Sequence, residues 1–258
     1  PSNFLLIATL ASMAVAEPYP TGAVQWGSYP LNMIDRPVTS FDIGPRNVAA
    51  VLEDGSVATW GAGTSLNGRH RFAKAVKKVS LSKSRAYAVL ADSTLTGWGA
   101  IDEWRWPIPE DLGKVIDVSV DEEFVVALRP DGSIRAWGKD SAYVQPPPGL
   151  KGLRSIQAWG YWTYAVAEND SVVRIGNDSV FATDHGDAVS YRDMMVLPKS
   201  GKIDFYGYGT IDSLVGVARG RHHELYLRSN GDVIAFGDSS LGQCDVPYPL
   251  SAKIRHID

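Results

Sequence analysis

TDHGD at 183–187 is the one place in this 258-residue chain where side chains suited to acid–base or metal chemistry sit together. Asp184, His185 and Asp187 carry the donor atoms for a bound cation or a proton-transfer dyad. A polar loop standing in for a degenerate strand accounts for them more simply. The other histidines, His70, His222, His223 and His256, lack a second ligand at the spacing of a metal site. Cys244 is the single cysteine, so no internal disulfide forms, and no Cys/His/Asn arrangement surrounds it. It is expected to be a small, partly buried side chain. There is no Ser/His/Asp order, no phosphate loop ahead of a helix and no recognisable carboxylate pair. The expectation is a protein without a catalytic residue, a metal or a cofactor.

A second group of residues suits binding rather than catalysis. Trp104 and Trp106 lie in DEWRWP (102–107), and Tyr161 and Trp162 in WGYWTY (159–164). Rigid aromatics in loops over a scaffold are common anchors for a partner. Arg85, Glu122, Arg221 and His222 lie in loops of different repeats and, converging on one rim, complete the candidate site. The plainer account is that the aromatics cover the end of a sheet.

What would position these loops is a repeat. Trp-Gly closes four short apolar stretches, GAVQWG, SVATWG, TLTGWG and SIRAWG, at Trp26, Trp60, Trp98 and Trp137. SVVRIG, KIDFYG and DVIAFG, ending at Gly176, Gly207 and Gly237, bring the series to seven. Upstream of these lie second stretches such as VAAVLEDG, AYAVLADS and VVALRPDG. Their connectors, Glu53-Asp54-Gly55, Pro130-Asp131-Gly132 and Asn230-Gly231, have the chemistry of tight hairpins, which need positive φ. Further upstream come VTSFDIG, VKKVSLS, VIDVSVD, LRSIQAW and SLVGVAR. The alternation in VIDVSVD is that of a half-buried strand. Each unit thus has three strands and a Pro-rich connector with room for a short fourth. No stretch has the pattern of a long amphipathic helix. A repeat of roughly 30 to 39 residues is the size of a propeller blade.

Composition bounds the partners. Hydrophobic residues make up 45% and charged residues 21%, as in globular proteins. A net charge of −4 gives no basic face for nucleic acid. No apolar run reaches the roughly 20 residues of a membrane-spanning helix.

The unit GRHHELYLRSNGDVIAFGDSSLGQCDVPYPLSAKI (220–254) resembles a repeat of the regulator-of-chromosome-condensation family of β-propellers. The family pattern is met by Gly220, His223, Leu227, Gly231, Phe236-Gly237, Asp238, Gly242-Gln243 and Val246-Pro247. The compact blade and the Gly-Gln…Val-Pro connector look most like the short-blade bacterial branch, which includes a propeller-type β-lactamase inhibitor. The resemblance implies a structural, hydrogen-bonded role for His223. It also implies partner contacts from aromatics in the inter-strand turn around Tyr161 and Trp162. The exchange-factor branch's β-wedge and basic tail, and the plant photoreceptor branch's Gly-Trp-Arg-His-Thr string, have no counterpart in this sequence.

The expected fold is therefore all-β, a seven-bladed β-propeller with its ring closed by strands from both termini. The expected function is a non-catalytic scaffold that binds a protein through Trp104, Trp106, Tyr161, Trp162, Arg85, Glu122, Arg221 and His222. The alternatives are a carbohydrate-binding propeller, with the loop aromatics stacked on sugars, and an enzyme with its site near the central channel at Asp184, His185 and Asp187. The expected partner is a protein, with a glycan as the alternative, no nucleic acid and no membrane span, and the isolated chain is expected to be a monomer.

The first residues bear on closure. NFLLIATLASMAVA (3–16) is apolar and ends in Ala-Val-Ala, as a secretion signal does, and tilts the expected location toward the extracellular space. Yet MAVAEPYPTGAVQWG (13–27) parallels YAVAENDSVVRIG (164–176), a strand, turn and strand. The expectation is that 13–27 joins SAKIRHID (251–258) in the closing blade. Residues 1–11 are then a signal-like or edge-strand segment, and 12–258 a single propeller domain.

Overall fold

A computed structural model describes residues 6–11, 23–26, 38–44, 47–61, 66–99, 106–139, 145–146, 148–160, 162–168, 172–176, 179–183, 201–205, 209–219, 223–240, 242, 244–246 and 253–257. Among them there is no helix, and every strand pairing is antiparallel. The chain divides into two compact units, residues 1–38 with 186–258, and residues 39–185.

The strands begin with β1 (Leu6–Ala11) and β2 (Ala23–Trp26). The second unit then holds four sheets, taken in order along the chain. The first is β3 (Val38–Ile43), β4 (Asn47–Leu52), β5 (Val57–Gly61) and β6 (Gly68–His70). The next is β7 (Val76–Leu81), β8 (Arg85–Leu90) and β9 (Leu95–Gly99). The third is β10 (Asp117–Val120), β11 (Phe124–Leu128) and β12 (Ile134–Gly138). The last is β13 (Leu153–Trp159), β14 (Trp162–Ala167), β15 (Val172–Gly176) and β16 (Ser179–Thr183). The three expected strands per repeat are all present here, and β6 and β16 are short fourth strands.

Sheets stack on sheets through the middle strand of each, which is buried on both faces. Alternate residues of β11 divide between two apolar layers. Phe124, Val126 and Leu128 join Ile156, Ala165 and Ile175 of the following sheet. Val125 and Ala127 join Tyr87 and Val89 of the preceding one. β8 does the same, with Ala86, Ala88 and Leu90 turned toward Ala49 and Val51. The period of two in the sequence is what lets one strand serve two layers.

The repeat-closing residue fills these layers in three cases. Trp98 packs in the layer between the first two sheets, Trp137 in the next and Ile175 in the third. Phe236 does not fill a layer in this way. It is 37% exposed and meets Tyr226 edge-on, with ring centroids 5.8 Å apart. The side chains of Trp26 and Phe205, and all of Tyr206, lie outside the described residues.

The hairpin turns also tie one sheet to the next. Val76 N donates to Gly55 O at 3.0 Å, Val115 N to Ser93 O at 2.8 Å and Leu153 N to Gly132 O at 3.2 Å. Each turn carbonyl thus captures the segment that opens the following repeat. Gly55 and Gly132 have φ of +74° and +75°, as their place in tight turns requires.

The other unit holds β17 (Ile203–Phe205) with β18 (Gly209–Ile211), and β19 (Leu214–Arg219), β20 (His223–Arg228) and β21 (Val233–Gly237). Its third sheet joins β1 and β2 to β22 (Lys253–Ile257). Leu214 N donates to Gly201 O at 2.8 Å, repeating the turn-to-sheet tie. Ile254 and Ile257 pack with Ala218, Leu225 and Leu227.

The sheet made by both ends of the chain corrects one expectation. β1 lies in its middle, with Thr9 opposite Ala23 on one side and His256 on the other. The place assigned to Met13–Glu17 is taken by Leu6–Ala11, and so Leu6–Ala11 is not an edge strand within this sheet. LIATLA has the apolar, β-branched make-up of a central strand, whereas the match on AVAE rested on a short motif. Residues 12–22 lie outside the described residues.

Candidate functional site: one end of the second unit

Arg85 opens β8 opposite Gly99, at the end of the sheet where the first strand turns into the second. Its guanidinium carbon lies 3.5 Å from the centre of the Trp106 ring, and its Nη1 donates to the Glu122 carbonyl at 3.0 Å. Trp106 follows β9 and has a φ of +66°, unfavourable for a bulky residue unless its surroundings enforce it. Two contacts do so. Arg85 stacks on the ring, and the Tyr87 hydroxyl donates to the Trp106 carbonyl at 2.9 Å. Burial pushes the Tyr87 hydroxyl up to about 12, against smaller opposing effects of Trp137 and Arg85, so it stays a donor at neutral pH. Trp106 is half-buried and packs on the layer of Tyr87, Leu112 and Trp137. It therefore both covers the end of that layer and presents an exposed edge.

The neighbouring turn continues the patch. Asp121 Oδ2 accepts from Gly160 N at 3.0 Å, and Glu122 beside it is exposed. Burial raises the Asp121 carboxyl above its ordinary range, outweighing its hydrogen bonds to backbone N–H groups. Gly160 belongs to the turn between Trp159 and Trp162, which face each other across β13 and β14. Arg174 of β15 sits over the Trp162 ring at 4.2 Å. Lys139 pairs with Glu123 at 3.3 Å.

Of the eight residues assigned to the rim, the structure brings Arg85, Trp106 and Glu122 into one linked group. It attaches Trp162 to that group through the Asp121–Gly160 hydrogen bond. Trp104, Tyr161, Arg221 and His222 lie outside the described residues. Sequence reasoning missed Tyr87, Asp121 and Arg174. Asp121 ends VIDVSVD at the position held by Ser82 in VKKVSLS, a polar slot that alignment of the repeats exposes. Arg174 in SVVRIG bore no such mark.

The His70 ring lies 2.9 Å from Leu66 O, 3.1 Å from Thr59 Oγ1 and 5.0 Å from the Trp98 ring. His223 is buried at the start of β20. The Cys244 thiol points at Asp238 O, 3.4 Å away, and burial raises its pKa. Among the described residues no three His, Cys, Asp or Glu side chains gather as metal ligands. Among the described residues no helix is long and apolar enough to cross a membrane. Asp184, His185 and Asp187 lie outside the described residues.

Small antiparallel sheets, stacked on one another within the second unit through a doubly buried middle strand, are the arrangement of a β-propeller type of fold. Known structures make the class specific: the fold is that of the RCC1-like propellers. Yeast RCC1 (Prp20), solved bound to Kap60, is similar over 98% of this chain and 82% of its own, with 12% identity and a TM-score of 0.64. Prp20p from Saccharomyces cerevisiae, solved separately, matches over 98% and 84% with 12% identity and a TM-score of 0.60. The CRINKLY WD40 ectodomain of the Arabidopsis thaliana receptor kinase ACR4 matches over 62% of this chain, with 20% identity and a TM-score of 0.51. The match spans 59% of that ectodomain. At these identities the likeness is one of fold. No protein-family model matches the sequence, and no curated protein matches it.

Proposed function

We propose that this chain is a non-catalytic, seven-bladed propeller that binds a protein partner through the rim around Arg85, Trp106, Glu122 and Trp162. Residues 12–258 and the strand at Leu6–Ala11 form one ring, with the last blade shared by both ends of the chain. Seven repeats, and the match to Prp20 over 98% of the chain, support the blade count.

The observation that carries the binding role is the restraint on Trp106. A tryptophan held at positive φ by a stacked arginine and a buried tyrosine hydroxyl is an aromatic anchor ordered in advance. Such anchors lose little entropy on binding and dominate interface energetics. Arg85 covers one face of the ring, which leaves less of it for stacking on a sugar and favours a protein partner. Prp20, similar in fold, is seen bound to Kap60 and is described for its binding to Gsp1p and histones.

The test is capture of partners from an extract of the source organism on the immobilised chain, followed by affinity measurement with the isolated partner. Trp162→Ala alone is expected to weaken binding, and joint replacement of Trp104, Trp106 and Trp162 by alanine to weaken it by 30-fold or more, a loss of ~2 kcal/mol. Unchanged affinity in the triple variant overturns the rim assignment. A glycan array run alongside reports the competing ligand class.

A further inference from the structure

The first strands of the sheets in the second unit carry a polar side chain at one recurring position. In VTSFDIG (38–44), VKKVSLS (76–82) and VIDVSVD (115–121) the fifth residue is Asp42, Ser80 and Ser119. Each reaches across a seam to the backbone of the next first strand. Leu81 N donates to Asp42 Oδ2 at 2.5 Å, Val120 N to Ser80 Oγ at 3.2 Å and Ala158 N to Ser119 Oγ at 2.8 Å. Two seams are thus fastened by a hydroxyl, and the first by a carboxyl. A hydroxyl makes this bond without a charge. An ionised carboxyl makes it only by leaving part of its hydration shell.

Little around Asp42 compensates for that loss. Ser80 hydrogen-bonds the same carboxyl, and Lys78 of β7 is the cation that acts on it. Lys78 is already paired with the buried carboxylate of Asp117 on β10, at 2.5 Å. β4, beside β3 in its own sheet, reads NVAAVL and adds no charge. Lys78 and, through it, Asp117 are the charged side chains that act on Asp42 from the strands packed against it. Burial outweighs the hydrogen bonds and Lys78, and raises the Asp42 carboxyl from 3.8 to about 6.

We propose that Asp42 is a proton-operated fastening between the first two sheets of the second unit, tight when its carboxyl is neutral and loosened when it ionises. Protonation breaks neither bond: the carbonyl oxygen still accepts from Leu81 N–H, and the acid O–H donates to Ser80 Oγ. The folded state binds this proton more tightly than the opened state. The stabilisation is therefore complete below the ordinary carboxylate pKa and is lost as pH rises through about 6.

The test is amide hydrogen exchange of the full chain between pH 5 and 8, corrected for intrinsic rates. The Leu81 amide reports the carboxyl seam and the Val120 amide the hydroxyl seam. Protection of Leu81 relative to Val120 is expected to fall by about 10-fold over this range. In Asp42→Asn, which keeps an acceptor, and in Asp42→Ser, which copies the other two seams, the ratio is expected to be flat with pH. A constant ratio in the parent chain overturns the proposal. So does a fall of the same size in whichever of the two variants folds.

Discussion

Replacement of Trp137 by alanine is expected to destabilise the chain by about 3–5 kcal/mol, the cost of removing a large aromatic from a packed interior. Trp137 is 7% exposed and meets Tyr87 edge-on at 5.9 Å, in the layer between the second and third sheets of its unit. Neither sheet can refill that space alone, because the middle strand of each is committed on both faces. A fall in melting temperature on the order of 10 °C follows from such a loss in a chain of this size. Trp104→Ala, in DEWRWP, which the sequence marks as a loop, is expected to shift stability by less than about 1 kcal/mol. Differential scanning calorimetry of the two variants separates packing from rim. Equal shifts contradict the division.

Gly132→Ala is expected to cost roughly 2–5 kcal/mol, through left-handed backbone strain and overpacking together. The glycine has a φ of +75°, and a Cβ placed there lies 2.4 Å from Gly152 N and 2.6 Å from Leu153 N. Those atoms are backbone of the next repeat, at the point where Leu153 N donates to Gly132 O, so they cannot step aside without opening the seam. Gly113 supplies the control. Its φ is +74°, yet nothing lies within 4 Å of a Cβ added there. Gly113→Ala is expected to cost only the conformational part, about 1 kcal/mol. Chemical denaturation that gives the two variants equal losses contradicts the turn-to-sheet tie.

The strands were legible because the repeat carries its own punctuation. Glycine after a Trp, Ile or Phe, and Asp-Gly or Asn-Gly inside three of the hairpins, bracket apolar runs whose alternation suits a strand packed on both faces. The exchange of turn carbonyls between sheets was not legible, because backbone-to-backbone bonds leave no residue signature. At the N-terminus a four-residue match, AVAE, outweighed a stretch with stronger strand character, and LIATLA took the place. At the rim, residue type and loop position pointed to Arg85, Trp106 and Glu122. That Arg85 stacks on Trp106 is a tertiary fact, since β8 and the loop after β9 meet only once the sheet has formed. Asp42 stood in plain view in VTSFDIG, but its meaning needed the packing that sets it beside Ser80 and under the Leu81 amide.

Sharing of one sheet between the two ends of the chain is the feature on which the propeller account depends most. Ala8 and Ile257 are partners across β1 and β22, and so are Thr9 and His256. Adjacent antiparallel pairs alternate between wide and narrow spacing, and both fall within the reach of a disulfide. The direct measurement places paired cysteines at 8 and 257, or at 9 and 256, in a Cys244→Ser background, oxidises them and resolves the products without reductant. At least one pair is expected to close within the monomer, giving a faster-migrating band and a higher melting temperature than the reduced form. If neither pair closes, or if both yield only disulfide-linked dimers, the ends of the chain do not share a sheet and the proposed ring fails.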